Sequence, residues 1–208
     1  MVRRLPTGID VLDRKLSGGI PAGSVVALVA PPASQSELFL YELTSARRTL
    51  YLSTHRTEQA VRDGFERAAL FTGDPLIQHV PGDAPLEHAN RLIQGISGEA
   101  NLIIDPVDVL EREDENRYRN FLNGLQNHMH NTGSIALLHC LDGRSVPDHR
   151  DATEHMADVV FELHTTIKGD SIENRLAVTK FRGGTALPET IKLELAERVS
   201  IDTSRDIA

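Results

Sequence analysis

The stretch VALVAPPASQSEL, residues 26–38, has the pattern of a phosphate-binding loop but lacks the residues that bind phosphate. Such a loop reads G-x-x-x-x-G-K-[ST], because glycines let backbone N–H groups surround a phosphate, the lysine contacts its outer oxygens and the hydroxyl holds Mg²⁺. Here the corresponding positions hold Ala30, Gln35, Ser36 and Glu37. Two interpretations follow: a nucleotide site that has lost its chemistry, or a loop that never bound a nucleotide.

The spacing within this loop also predicts a local structure. Ser34-Gln35-Ser36-Glu37 has the S-x-x-E pattern of a capping box, in which the serine hydroxyl accepts a hydrogen bond from the N3 backbone N–H and the glutamate accepts one from the serine N–H. We therefore expect the carboxylate of Glu37 to replace the phosphate and to keep the loop ordered without nucleotide. The alternative is a surface loop with no special geometry.

The composition limits the class of protein. The chain has 208 residues, which favours one domain over residues 1–208, and a net charge of −8 with 22 basic residues, only four of them lysine. An acidic, lysine-poor chain that has no tryptophan argues against nucleic acid as a partner. The same balance fits a salt-rich cytoplasm. No apolar run is long enough to cross a membrane, and residues 1–6 lack a secretory signal, so we expect a cytoplasmic location without membrane contact.

Cysteine and histidine give no metal site in this sequence. Cys140 is the only cysteine, which excludes a disulfide framework and favours a small buried thiol. His128 and His130 lie two residues apart on a predicted helix and point to different sides. Because no H-x-x-x-H pair with supporting acids appears, we expect no bound metal.

Short β-rich runs alternate with helical patterns along most of the chain. The runs at 24–29, 49–53, 101–107 and 134–140 have apolar residues in succession instead of in alternation, which is typical of parallel strands covered on both faces. From about residue 158, three strand-like runs follow without helices between them. The pattern predicts an α/β fold with three layers, in which a mostly parallel sheet ends in an antiparallel C-terminal extension.

Several stretches together resemble the RecA superfamily, in particular its KaiC/RadA-like members and the short KaiC-like proteins of salt-loving archaea. LPTGIDVLDRKLSGGIPAGSVVALVAPP resembles the family's opening, NLIIDPV its Walker B strand, and ADVVFEL and KFRGG a late strand and the K-x-R-G hairpin. Aligned on the two prolines, the family's G-P-P-G-S-G-K-[ST] becomes Ala30, Pro31, Pro32, Ala33, Ser34, Gln35, Ser36, Glu37. Every glycine, the lysine and the hydroxyl are therefore missing.

The resemblance assigns roles to three further residues, and each has a simpler interpretation. Asp105 matches the carboxylate that the family uses on Mg²⁺, but it also suits a hydrogen-bond acceptor at a strand end. His55 stands near the family's water-activating glutamate, but it also suits a polar loop residue before a helix. His139 stands where relatives sense the γ-phosphate, but strand-end histidines are often simply hydrogen-bonded.

The resemblance also implies a subunit interface. Lys180 and Arg182 match the K-x-R-G residues that relatives extend toward the neighbouring subunit's nucleotide, and in this chain they could pair with Glu37 of a neighbour. The alternative is a pair of solvated hairpin charges. The expected partners are therefore copies of the chain itself, or a KaiC-like relative.

Taken together, these residues predict a KaiC-like pseudo-ATPase that acts as a regulatory or interaction protein and needs no cofactor. Two alternatives stay open. One is an atypical ATPase that binds ATP with Mg²⁺ and uses Asp105 and His55, and the other is a RadA-like recombinase paralogue that assists DNA repair.

Overall fold

The computed structural model describes residues 3–68, 72–195 and 199–201. The helices in these ranges are α1 (Asp10–Lys15), α2 (Ser36–Thr44), α3 (Glu58–Arg67), α4 (Pro85–Ile93), α5 (Asp108–Glu111), α6 (Glu115–Thr132) and α7 (Arg150–Met156). The strands are β1 (Arg4–Leu5), β2 (Ile20–Pro21), β3 (Val25–Ala30), β4 (Thr49–Ser53), β5 (Leu76–His79), β6 (Asn101–Asp105), β7 (Ile135–Leu141), β8 (Val159–Lys168), β9 (Ser171–Phe181), β10 (Ile191–Leu195) and β11 (Val199–Ile201).

Nine of these strands form one sheet, in the order β11-β10-β9-β8-β3-β7-β6-β4-β5. The strands from β8 to β5 pair in parallel, whereas β9, β10 and β11 extend the sheet antiparallel. Strands β1 and β2 form a separate small sheet. The predicted α/β fold with an antiparallel C-terminal extension is therefore confirmed, and the carboxyl ends of β3, β7, β6 and β4 lie side by side at one edge.

Helices cover both faces of the sheet, which explains the continuously apolar strands. Alternate residues of β3 enter two different cores: Val26 and Leu28 pack with α1, α2 and α3, whereas Val25 and Ala27 pack with α4, α5 and α6. Because successive side chains of a strand point to opposite faces, a strand between two helical layers needs apolar residues at every position.

The chain leaves the adjacent strands β3 and β7 toward opposite faces. Helix α2 follows β3 and contributes Phe39 and Leu40 to the first core, whereas α7 follows β7 and places Met156 against the second core. A crevice at the carboxyl end of the sheet therefore lies between the loops that follow β3 and β7. In open α/β sheets, this reversal of direction is where ligands bind.

Some elements differ from the sequence-based expectation. The sequence pattern indicates neither helix α7 nor the short elements β1, β2, α5 and β11, which carry too few residues for a periodic signal. Cys140 is fully buried, as expected. The helical pattern of residues 58–70 corresponds to α3, and its predicted end at residue 70 lies outside the described residues. No helix within the described ranges is long and apolar enough to cross a bilayer.

Gly19 allows β1 and β2 to pair closely after the end of α1. Gly19 has a φ of 110°, and a Cβ atom there would lie 2.1 Å from the carbonyl oxygen of Leu5. Only glycine allows this close approach of β2 to β1. The resulting turn delivers the chain into β3 and hence into the loop that replaces the phosphate-binding sequence.

Candidate functional site

Asp105, at the carboxyl end of β6, is the centre of a buried hydrogen-bond network. Its Oδ1 lies 2.7 Å from Nδ1 of His139, the residue near the end of β7. Its Oδ2 accepts hydrogen bonds from the hydroxyl of Tyr51 on β4 and from Nη2 of Arg56, the latter at 2.7 Å. Asp105 and His139 are only 4% and 3% exposed, so three neighbouring strands bring these groups together inside the protein.

The surroundings keep Asp105 ionised. Burial alone would raise the pKa of the Asp105 carboxyl, but hydrogen bonding from His139 and Tyr51 and the charge of Arg56 outweigh it and hold that pKa well below its usual range. Burial opposes the charge of Arg56, but the Asp105 carboxylate overcomes this effect and raises the pKa of the guanidinium. Asp105 and Arg56 therefore form an ion pair at the centre of the site, and the cation of this pair is a side chain of the protein itself.

The network extends from Asp105 into the loop after β3. Nε2 of His139 lies 3.0 Å from Oγ of Ser36, the residue at the lysine position of a phosphate-binding loop. Because the ionised Asp105 carboxylate can only accept, Nδ1 of His139 carries the hydrogen of that bond, and a hydrogen bond between Nε2 and the Ser36 hydroxyl continues the network. On the other side, Nη1 of Arg56 lies 3.2 Å from Oε1 of Glu37. We call this group the Asp105 network, and its members are Ser36, Glu37, Arg56, Asp105, His139 and Tyr51.

The predicted capping box is wrong. The residue before α2 is Gln35, and its side chain makes no capping hydrogen bond. The Ser34 hydroxyl accepts from the N–H of Ser36, at 3.4 Å, and not from that of Glu37. The Ser34 hydroxyl and the Ser34 N–H both donate to the carbonyl oxygen of Pro31, at 2.7 and 2.9 Å. Glu37 turns to Arg56 instead of reaching back to Ser34, because a guanidinium offers a charged partner that a backbone N–H cannot match.

The site does not fit Mg²⁺ and ATP, the cofactor that the fold family implies. Both oxygens of Asp105 already accept hydrogen bonds, and the cationic Arg56 lies 2.7 Å from Oδ2, where it would repel a metal ion. Glu37 adds a carboxylate at the position of the magnesium-binding hydroxyl. Within the described ranges, no group of three or more histidine, cysteine or acidic side chains is arranged to hold a metal ion.

The order Ser36, His139, Asp105 has the connectivity that activates a serine nucleophile in hydrolases. A nucleophile must also meet an electrophile, and Ser36 is only 3% exposed. Neither of the two clefts beside this loop in the described part of the chain is lined by Ser36, His139 or Asp105. The arrangement therefore holds the start of α2 against the sheet and gives a substrate no access.

The remaining predicted site residues lie outside the Asp105 network. His55 is exposed at the rim of a cleft beside the loop. Ala30 ends β3 and is buried, whereas Ala33 is an exposed loop residue. The sequence-based reasoning missed Arg56, the residue after His55 that joins Asp105 to Glu37, and it missed Tyr51. The only sequence signal for Arg56 was a cation placed just after a buried strand.

Lys180 and Arg182 have partners within the chain. Nζ of Lys180 donates to the carbonyl oxygens of Glu154 and His155, at 2.8 and 2.6 Å. Arg182 donates to the carbonyl oxygens of His155 and Met156 and pairs with Asp158. Both cations therefore satisfy the carboxyl end of α7, where the helix dipole favours positive charge. Their role at a subunit interface stays a prediction.

A second buried cluster lies beneath α7. Arg150 binds both oxygens of Glu111 and lies 3.1 Å from Oδ1 of Asp108. Glu111 also accepts the hydroxyl of Thr153, which is hydrogen-bonded to Tyr118. Burial opposes the Arg150 charge, but the bonds to Glu111 outweigh it and raise the pKa of Arg150. These five residues are called the Glu111 network below, and they fix α5, α6 and α7 to one another.

Comparison with known proteins places this chain among RecA-fold proteins. It is 38% identical over 72 residues to the DNA repair protein RadA of Mycolicibacterium smegmatis, which is 32% of this chain and 16% of that protein. It is 42% identical over 65 residues to the DNA repair protein RadA of Mycobacterium tuberculosis, 29% of this chain and 14% of that protein. The match thus spans about a sixth or less of these curated relatives.

A solved structure and a sequence family match almost the whole chain. The crystal structure of a KaiC-like protein from the hyperthermophilic archaeon Pyrococcus horikoshii OT3 superimposes with a TM-score of 0.73, at 17% identity, over 97% of this chain and 100% of that chain. The fold is therefore the RecA-like fold of KaiC-like proteins. The Family of unknown function (DUF7125) matches residues 4–208, and the chain belongs to that family.

Proposed function

We propose that this protein is a KaiC-like pseudo-ATPase that acts as a regulatory or interaction protein and does not use ATP. One observation carries the proposal: Arg56 lies between Glu37 and Asp105, at 3.2 and 2.7 Å, where a nucleotide loop would hold Mg²⁺ and phosphate. The charged side chains of Arg56, Glu37 and Asp105 thus take the place of the charges that Mg²⁺ and phosphate would bring. The loop is ordered by contacts within the chain, so its structure does not depend on nucleotide.

The charges at this position disfavour phosphate. A carboxylate about 4 Å from a phosphate oxygen costs roughly 4 kcal/mol per charge pair at an effective dielectric near 20. Glu37 and Asp105 both oppose a phosphate group, and the lysine that would compensate is replaced by Ser36. Arg56 is the nearby cation, and it is already bound to both carboxylates.

A protein of this kind works through its surfaces. The proposal includes self-association or pairing with an active KaiC-like relative, as in the short KaiC-like proteins of salt-loving archaea, and a location in the cytoplasm. Lys180 and Arg182 are the proposed interface residues. Both end at the exposed carboxyl end of α7, so they can be altered without disturbing the Asp105 network.

The test is a calorimetric titration of Mg-ATP into the purified protein at high salt. We expect no saturable heat for the native chain. The variant Ser36→Lys/Glu37→Thr restores the two missing side chains and shows whether the rest of the site has been kept. The matched control is Ser97→Lys/Glu99→Thr, which makes the same chemical changes on an exposed loop. Micromolar saturable binding by the native chain would contradict the proposal and make Asp105 and His55 candidates for hydrolysis.

The RadA matches favour one second candidate, a recombinase paralogue that assists DNA repair. Single-stranded DNA binding depends on neutralised phosphates and therefore weakens steeply with salt. Fluorescence anisotropy of a labelled oligonucleotide at low and high salt separates the candidates. We expect no binding from a chain with a net charge of −8, and salt-sensitive binding would favour the repair role.

A further inference from the structure

A cleft of about 830 Å³ lies at the carboxyl edge of the sheet, between the loops that follow β3 and β7. It uses none of the residues of the Asp105 network. Its volume lies in the range of small-molecule sites, roughly 300–1,000 Å³. The residues of the lining that matter here are Pro31, Pro32, Leu141, His55, Arg112 and Arg144.

The cleft occupies the position where the fold favours ligand binding. The chain leaves β3 and β7 toward opposite faces of the sheet, so the two loops diverge and leave a crevice between them. Pro31 and Pro32 form one wall, and residues 141–145 form the other. The Walker-type loop contributes only its prolines and Ala33 to this cleft.

Two arginines give the cleft a local positive charge in an acidic protein. In the described part of the chain, neither Arg112 nor Arg144 forms an ion pair, and Arg112 donates only to Ser145. Of the acidic residues that line the cleft, Asp108 already forms an ion pair with Arg150 and accepts a hydrogen bond from the Leu141 N–H. Asp142 is exposed, so the lining holds two arginines and, apart from Asp108, one further carboxylate.

The walls of the cleft are fixed by contacts at its base. The Asp142 N–H donates to the Ala30 carbonyl at 2.8 Å, and Arg150 donates to the Leu141 carbonyl at 3.0 Å. A Cβ atom on Gly143 would lie 3.0 Å from Cγ of Pro32, so the two loops are in close contact. A site whose walls are already in place loses little freedom when a ligand binds.

From these observations we propose that the cleft binds a small organic phosphate, a phosphomonoester with an apolar or aromatic body. Arg112 and Arg144 bind the dianionic phosphate, because guanidinium groups match its oxygens with charged hydrogen bonds. His55 lies at the rim as a further donor, and the apolar body packs on Pro31, Pro32 and Leu141. Binding needs no Mg²⁺ and leaves Ser36 and Glu37 untouched.

The test uses 1-naphthyl phosphate as the probe in the presence of EDTA. The protein contains no tryptophan, so naphthyl fluorescence is read against a low protein background. The controls are 1-naphthol, which lacks the phosphate, and inorganic phosphate as a competitor that lacks the apolar body. We expect saturable binding of the probe that is at least about 10-fold tighter than that of either control.

Arg144→Gln is the decisive variant, because this side chain is exposed and makes no ion pair or side-chain hydrogen bond with another residue in the described ranges. It should weaken binding of the probe by at least about 10-fold. Arg91→Gln is the matched control, since Arg91 is exposed on α4 and does not line the cleft. Absence of saturable binding, or binding unchanged by Arg144→Gln, would overturn the proposal.

Failure of the cleft proposal in this test can be distinguished from failure of the proposed pseudo-ATPase role. Lack of probe binding overturns only the cleft proposal and leaves the role of the Asp105 network as it was. Mg²⁺-dependent binding of ATP that survives Arg144→Gln belongs to the loop after β3, and it would contradict the proposed loss of ATP binding. Mg²⁺-independent binding of the probe that is lost in Arg144→Gln supports the cleft alone.

Discussion

The Asp105 network and the Glu111 network each gather two carboxylates around one arginine, but they differ in their contact with solvent. In the Glu111 network the side chains of Arg150 and Glu111 are 5% and 0% exposed. In the Asp105 network the side chains of Arg56 and Glu37 are 30% and 51% exposed, although Asp105 itself is buried. One network is closed, and the other opens to water at Arg56 and Glu37.

This difference separates a structural role from a functional one. The Glu111 network joins helices that all pack on the same face of the sheet. Every charged group in it is paired with an oppositely charged group of the same network. The Asp105 network crosses from the ends of β4, β6 and β7 to the loop after β3. It therefore fixes the start of α2 and the loop that precedes it.

The largest effect is expected from breaking the closed network. Arg150→Met leaves Asp108 and Glu111 buried without their cation, which should lower the free energy of unfolding by about 3–5 kcal/mol. Urea denaturation followed by circular dichroism measures this loss. Arg144→Met, an exposed arginine in the preceding loop, should change the same quantity by less than about 0.5 kcal/mol. Equal losses in both variants would mean that the Glu111 network does not stabilise the fold.

Breaking the open network should cost less. Asp105→Asn removes the charged acceptor of Arg56 and His139, and we expect a loss of about 1.5–3 kcal/mol in the free energy of unfolding. The loss is smaller than for Arg150→Met because water can reach Arg56. Asp83→Asn, on an exposed turn, is the control for the charge change. An equal loss in the free energy of unfolding for Asp105→Asn and Arg150→Met would contradict this distinction between the two networks.

The pH dependence of stability should report on Asp105 directly. Its pKa is lowered in the folded state, so the unfolded chain binds the proton more readily, and stability falls as pH drops below the unfolded value of about 4. This carboxyl should contribute a slope of up to about 1.4 kcal/mol per pH unit in that range. Thermal unfolding between acidic and neutral pH should show a shallower slope for Asp105→Asn, while Asp83→Asn keeps the native slope.

The smallest effect is expected where the loops held by the two networks touch. Gly143→Ala places a Cβ atom 3.0 Å from Cγ of Pro32, and the overpacking should cost about 1 kcal/mol. Gly82→Ala is the matched control, because nothing lies within 4 Å of a Cβ atom there. Chemical denaturation of both variants checks this value. An identical result for the two would show that the loops slide freely past each other.

The fold was predictable because its signal is local. The apolar residues 102–104 within Asn101–Asp105 indicate a strand between two helical layers wherever they lie in the chain. Helix α7 was missed because it spans only seven residues, four of them charged or histidine, and its stability comes from Arg150 and Thr153 binding Glu111.

The site was predictable only in part. The residues at positions 30–37, which do not match a phosphate-binding pattern, are visible in the sequence, as are the strand-end positions of Asp105 and His139. The partner of Glu37 is not visible in the sequence, because Arg56 lies 19 residues further along the chain. It reaches Glu37 only because the fold brings the loop after β4 next to the start of α2. The capping-box prediction failed for this reason: a local pattern competes with tertiary partners that no short motif contains.

The most direct test of the central claim, that contacts within the chain order the loop after β3 without nucleotide, is amide hydrogen exchange of residues 33–38. We expect the N–H groups of Ser34 and Leu38, which donate to Pro31 and Gln35, to exchange at least about 10-fold more slowly than in an unstructured chain, with no change on adding Mg-ATP. Unprotected amides that become protected only when Mg-ATP is added would contradict the claim.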